Sequence, residues 1–196
     1  MPLTTIDPTA ALVVVDLQKG IVSALTDTPV AGAVQQSARL AAEFRRHGLP
    51  VVLVNVTGRA PGRTDSPARV RIGTGGSANT LAPPAGWADL VDELDVQPTD
   101  HLITKRRRSA FHDTGLDTLL RDLGVTQVVL TGVATSSGVE STARSAVDHG
   151  YHVVLATDAM ADPDPEAHRH SVGRVFPKLG ETATCAEVAA MVEATR

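Results

Sequence analysis

A chain of 196 residues with 42% hydrophobic and 20% charged side chains has the length and apolar content for one compact domain with a real core. Its formal net charge of −4 offers no global attraction to nucleic acid or an anionic membrane, and aromatic residues at 3% leave no stacking platform for bases. One cysteine, Cys185, excludes a disulfide framework and a multi-cysteine metal site, and no apolar run is long enough to cross a bilayer.

The first strand is "ALVVVD" (11–16), a β-branched run without polar alternation, as suits a strand covered on both faces of a parallel sheet. "AGAVQQSARLAAEFRRHG" (31–48) has helical period and stops at Gly48, which can take the left-handed C-terminal conformation. "LPVVLVNV" (49–56) is the second strand. Residues 57–84 then break the rhythm with Gly, Pro, Ser and four arginines, Arg59, Arg63, Arg69 and Arg71, against one acid, Asp65. So long a stretch without period predicts a lid or binding loop, and Arg63 and Arg71 are its candidates for clamping a carboxylate. "DHLITK" (100–105), "TQVVLTGV" (126–133) and "YHVVLATDAM" (151–160) are further strands. Helices over 113–124 and 138–150 separate them and end at Gly124 and Gly150. A helix over 164–180 starts with Asp164 as cap and Pro165 in its first turn, and a short strand near "ETAT" leads to a last helix from Cys185. Residues 1–196 are expected to form a single α/β domain, doubly wound, with about six parallel strands.

In such a sheet, ligands bind beyond the carboxyl ends of the strands. Asp16, Asn55, Lys105, the turn 132–138 and Asp158 stand at those ends. Asp16 either caps a following turn or serves as an acid, and Lys105 is either a solvated strand-end lysine or its partner. Arg106 to Arg108 read as solvent-facing. The small-residue turn "GVATSSGVESTARSA" exposes backbone N–H groups at a helix start, a ready site for an anion or a developing oxyanion. Ser137 with Glu140 also fits a capping box, which needs no catalytic role.

Together "ALVVVDLQKG", "ITKRRRSAFHDTGLDTLL" and "TGVATSSGVESTARSA", in this order, resemble the isochorismatase-like hydrolase superfamily, also called the cysteine hydrolases, over about residues 10 to 180. The resemblance implies a three-layer Rossmann-like fold with a six-stranded parallel sheet flanked by helices, assembled as a homo-oligomer. It implies Asp16 as the proton-transferring acid or base, Lys105 as its electrostatic partner, and Gln18 and Phe111 as parts of the pocket. It also implies a cis peptide between Val133 and Ala134, in an oxyanion turn that includes Ser137 and Gly138.

The thiol members carry G-x-x-T-x-x-C-V, and the same alignment places Gly138 where their cysteine stands. No thioester can form there, and Cys185, far along the chain, has packing as its expected role. Nicotinamidase-type chemistry is disfavoured, the more so because the Asp-x-His metal pair of those relatives is missing after the second strand. His168 and His170, two apart on a helix, face different ways, and neither a metal nor a cofactor is expected. Isochorismatases of the thiol-free kind hydrolyse a vinyl ether after the Asp protonates its enol-ether carbon, and Asp16 with Lys105 would suffice for that, with Gly138 leaving extra room. The competing readings are a catalytically silent relative that binds a ligand or a protein partner, and substitution of the nucleophile by Ser136 or Ser137. The expected setting is cytoplasmic and the expected partner a small molecule, with no nucleic acid and no membrane.

Overall fold

A computed structural model describes residues 1–25, 29–57 and 84–195. Strands β1 (Ala10–Val15), β2 (Val51–Val56), β3 (His101–Lys105), β4 (Gln127–Val133), β5 (His152–Ala161) and β6 (Glu181–Ala183) form one sheet. Their order is β3-β2-β1-β4-β5-β6, and every neighbouring pair is parallel. β1 to β5 lie where the five apolar runs predict them, and β6 lies at the short strand expected near "ETAT".

The reason is plainest in β1, whose six residues are all buried. Ala10, Leu12 and Val14 point into one apolar core and Ala11, Val13 and Val15 into the other, so the strand needs hydrophobic side chains at both parities. Each Val or Leu so buried contributes about 1.5–3 kcal/mol. Helices α2 (Val30–Arg46) and α6 (Cys185–Ala194) close the first core with Val34, Leu40, Phe44, Val188 and Val192. Helices α3 (Leu116–Asp122) and α4 (Glu140–Asp148) close the second with Leu116, Leu120, Ala143 and Ala146. A short α1 (Lys19–Val22) follows β1, and α5 (Pro165–His170) follows β5. Among the described residues, no helix is long and apolar enough to cross a membrane.

Two helices differ in kind from expectation. The helix expected from Gly138 is preceded by a π-helical turn over Thr135–Val139, and α4 proper begins at Glu140. The helix expected over 164–180 is one helical run of three kinds: α5, a π-turn over Ser171–Val175 and a 3-10 turn over Phe176–Lys178. Pro177 accounts for this, since it lacks an N–H and its ring would meet the carbonyl four residues back in a regular helix. The start of that run is as expected: the Asp164 carboxylate accepts from the N–H groups of Glu166 and Ala167, with Pro165 in the first turn.

The chain leaves β1 toward β2 on one side of the sheet, and β4 lies on the other side of β1. The carboxyl ends of β1, β3 and β4 therefore frame the crevice where open α/β sheets bind ligands.

Candidate active site

Asp16 is the first residue beyond β1 and has φ +56°, left-handed backbone that costs a non-glycine residue about 1 kcal/mol. Its N–H still donates to the Val54 carbonyl of β2 at 2.9 Å, so the chain turns sharply only after the sheet has gripped it. The side chain is buried, and its Oδ2 accepts from Lys105 Nζ at 2.7 Å. Lys105, buried as well, ends β3 and also donates to the Arg107 carbonyl at 3.1 Å. Oδ1 of Asp16 has no hydrogen-bond partner among the described residues. Burial pushes the Asp16 carboxyl up to about 6, and the Lys105 ammonium only partly opposes that shift.

Beneath this pair lies the turn after β4. Gly132 sits opposite Val15 in the ladder with φ +114°, and a β-carbon there would stand 2.0 Å from the Val15 carbonyl oxygen. Only glycine lets β4 pass β1 this closely. The peptide between Val133 and Ala134 is cis, and the π-turn that follows carries Gly138 under Asp16. A β-carbon on Gly138 would lie 3.0 Å from Asp16 Oδ2, 3.0 Å from the Val133 oxygen and 3.2 Å from Val15 Cγ1. The room expected over Gly138 is therefore tight at its base, where the Asp16 carboxylate, the Val133 oxygen and Val15 crowd the place of a first side-chain carbon.

Two residues that the sequence alone does not connect with this turn hold it. The buried Asp162, at the end of β5, accepts from both the N–H and the hydroxyl of Ser136 at 2.7 Å, and its other oxygen accepts from Asp164 N–H at 3.0 Å. His168 Nδ1 lies 2.8 Å from the hydroxyl of the buried Thr135. Both come from the segment after β5, which carries an acid and a histidine but no spacing that ties them to a turn 26 and 33 positions away.

The capping-box reading of Ser137 is corrected. The turn makes no side-chain cap, and Glu140 instead accepts from Arg144 and from the Ser171 hydroxyl. Among the described residues no histidine is bonded to either serine: His168 reaches Thr135, and the Ser136 hydroxyl is spent on Asp162.

Gln18, expected in the pocket, is fully buried with its amide used by backbone. Nε2 donates to the carbonyls of Val56 and Trp87, and Oε1 accepts from Val56 N–H. It is a brace between the end of β2 and the Trp87 segment. Phe111, expected as a pocket wall, is likewise elsewhere: its ring stacks on His149 at 5.0 Å and meets Tyr151 at 5.8 Å. His149 caps the far end of α4, about 16 Å along the helix from Gly138 at 1.5 Å per residue. The chain after Lys105 lies against α4, with Ala110 N–H donating to Thr142 and the Ser109 hydroxyl bonded to that of Ser145. Arg63 and Arg71, with the rest of the loop expected at 57–84 beyond Thr57 and before Pro84, lie outside the described residues. Cys185 is buried at the start of α6, its N–H on Asp158, and burial together with that carboxylate pushes its thiol far above the ordinary range. A thiol so placed packs rather than reacts.

The one cluster of metal-binding side chains among the described residues is Glu43, His47 and Glu193, on the outer surface of α2 and α6. Arg46 shares that Glu193 carboxylate, which marks an ion-pair network on the surface. At the crevice the arrangement is instead a buried, readily protonated carboxyl with one free oxygen, a fixed ammonium and a backbone turn. Such a set can donate a proton to a substrate atom and take it back.

Residues 10–187 match the family model of the isochorismatase domain. Among relatives, an uncharacterized isochorismatase family protein of Bacillus subtilis, YwoC, is 40% identical over 182 residues, covering 90% of each chain. The ureidoacrylate amidohydrolase RutB of Pantoea ananatis is 32% identical over 80% of this chain and 70% of its own. A solved isochorismatase family protein of Burkholderia thailandensis superposes with a TM-score of 0.82 at 37% identity, over 96% of this chain and 98% of the other.

Proposed function

The chain belongs to the isochorismatase family of hydrolases, and from that premise we propose that it hydrolyses a small anionic metabolite by acid–base chemistry at Asp16, without a cysteine nucleophile. The observation that supports this most is the buried Asp16–Lys105 pair, held 2.7 Å apart directly over Gly138. In this reading Gly138 occupies the position of the family's nucleophile, and the bond attacked is that of a vinyl ether. The protonated Asp16 delivers its proton to the terminal carbon of the enol ether, leaving an oxocarbenium ion. Water adds to that cation and returns a proton to the Asp16 carboxylate, and the hemiketal collapses to an alcohol and a 2-oxo acid. Lys105 holds the carboxyl in place and balances its charge once the proton has left. Of the turn's N–H groups, those of Ser136 and Ser137 already donate to Asp162 and to the Ala134 carbonyl, so in this reading the substrate's anionic end is met by the others, at Ala134 and Gly138.

The pKa supports the role of acid. A carboxyl near 6 is protonated in a useful fraction of molecules close to neutrality, whereas one near 4 is not. Kinship with an enzyme named ureidoacrylate amidohydrolase favours a second reading, hydrolysis of an amide by water that Asp16 deprotonates. The protein is further read as a homo-oligomer of a single domain.

The test is the purified chain on isochorismate-type vinyl ethers and on a panel of amides, beside Asp16→Asn, with 2-oxo acid and ammonia measured separately. Release of 2-oxo acid that falls 10²- to 10⁴-fold in the variant is expected. Ammonia release with the same dependence moves the assignment to the second reading. Equal activity or equal inertness of the two proteins rejects catalysis by Asp16.

A further inference from the structure

A cleft of about 200 Å³ opens between α4 and the helical run 165–178, lined by Arg144, His170, Arg174, Val175, Lys178 and Leu179. None of these residues belongs to the Asp16–Lys105 pair or to the turn beneath it. His170, Arg174 and Lys178 all line the cleft from this run, and Arg144 of α4 meets them from across it. The chain has 22 acids against 18 lysines and arginines, yet no Asp or Glu occurs from Ala167 to Gly180. Among the described residues, neither Arg174 nor Lys178 has an acidic partner. Like charges four residues apart on a helix repel one another.

The walls are also fixed. Glu140 accepts from Nε and Nη2 of Arg144 through one oxygen, and its other oxygen accepts from the hydroxyl of Ser171, which is buried in the opposite wall. Among the described residues Glu140 is thus the one acid tied into the cleft, and it offsets only one of the three permanent cations. We propose that this cleft is an anion site for a small, multiply charged phosphate, gripped by the Arg174 and Arg144 guanidinium groups and by Lys178, over an apolar floor of Val175 and Leu179. Guanidinium forks match phosphate oxygens in pairs, and lysine adds a point charge that adapts to the anion.

The test is calorimetric titration of the full chain with inorganic pyrophosphate, and separately with inorganic phosphate, at low ionic strength. One saturable site is expected, tighter for pyrophosphate and weakened by added salt. Arg174→Gln with Lys178→Gln removes two exposed cations without an acidic partner among the described residues, so the variant should keep the wild-type circular dichroism and melting temperature. Its pyrophosphate affinity should fall at least tenfold. Lys19→Gln with Arg121→Gln removes the same charge from surface pairs elsewhere, on Asp92 and Asp117, and should leave the affinity within twofold. Absence of saturable binding, retention of affinity in the first variant, or equal loss in the second overturns the proposal.

Discussion

At Asp16 two effects of opposite sign act on one carboxyl, and burial outweighs the ammonium 2.7 Å away. The catalytic rate that needs the protonated form should therefore fall as pH rises through about 6. Lys105→Met removes the lowering influence, so that limb should move to higher pH in the kcat/KM profile, while the loss of a buried partner costs about 3–5 kcal/mol of stability. The same shift is a statement about folding. Because the folded value lies above the ordinary 3.8, the folded state holds the proton longer, and the stability Asp16 contributes declines as pH rises between about 4 and 6. Urea midpoints of the native protein relative to Asp16→Asn should show that decline; a difference independent of pH would mean the carboxyl titrates as it does in the unfolded chain. Gly138 makes a steric prediction. A methyl group there meets the Val133 backbone oxygen at 3.0 Å, which cannot swing aside, so Gly138→Ala should lose about 1–3 kcal/mol in urea unfolding.

The element that organises the site is α4 with its π-turn, because it joins the turn under Asp16 to the segment after Lys105. Thr142 donates to the Gly138 carbonyl at 2.7 Å and accepts from Ala110 N–H at 3.0 Å, which ties the turn to the segment descending from Lys105. Thr142→Val keeps the shape and removes both bonds. The orphaned N–H should cost about 1–3 kcal/mol, with hydrogen exchange at Ala110 accelerating most. Phe111, at the other end of α4, should behave differently from a pocket residue. Phe111→Ala is expected to cost about 3–5 kcal/mol and to leave KM unchanged, whereas a raised KM at unchanged stability would put its ring back at the substrate. The helices after β4 and β5 are irregular for separate reasons: one start is bent into the crevice to carry Gly138, and the other run accommodates Pro177.

For the molecule as a whole, the family resemblance leads to an expected mass in solution of at least two chains, which light scattering on the full chain will measure; a single-chain mass would remove the oligomer from the proposal. Most of the architecture was legible beforehand. Strands buried on both faces must be apolar at every position, and helices on a single domain's surface must repeat every three to four residues and stop where the backbone can turn, so β1 to β6 and the glycine-ended helices announce themselves locally. Asp16 and Lys105 could be named for the same reason, as polar residues closing apolar strands. Contacts between segments distant in sequence had no such signature. Asp162 on Ser136, His168 on Thr135, the Gln18 brace and the stacking of Phe111 on His149 each depend on how two elements pack. The chain's local pattern of hydrophobicity and turns thus determined the sheet, its helices and the strand ends that bear charge. Only tertiary structure decided which of those charges meet, how far burial raises the Asp16 carboxyl, and that a carboxylate crowds the space over Gly138, since desolvation and close approach arise only when separate elements are brought together.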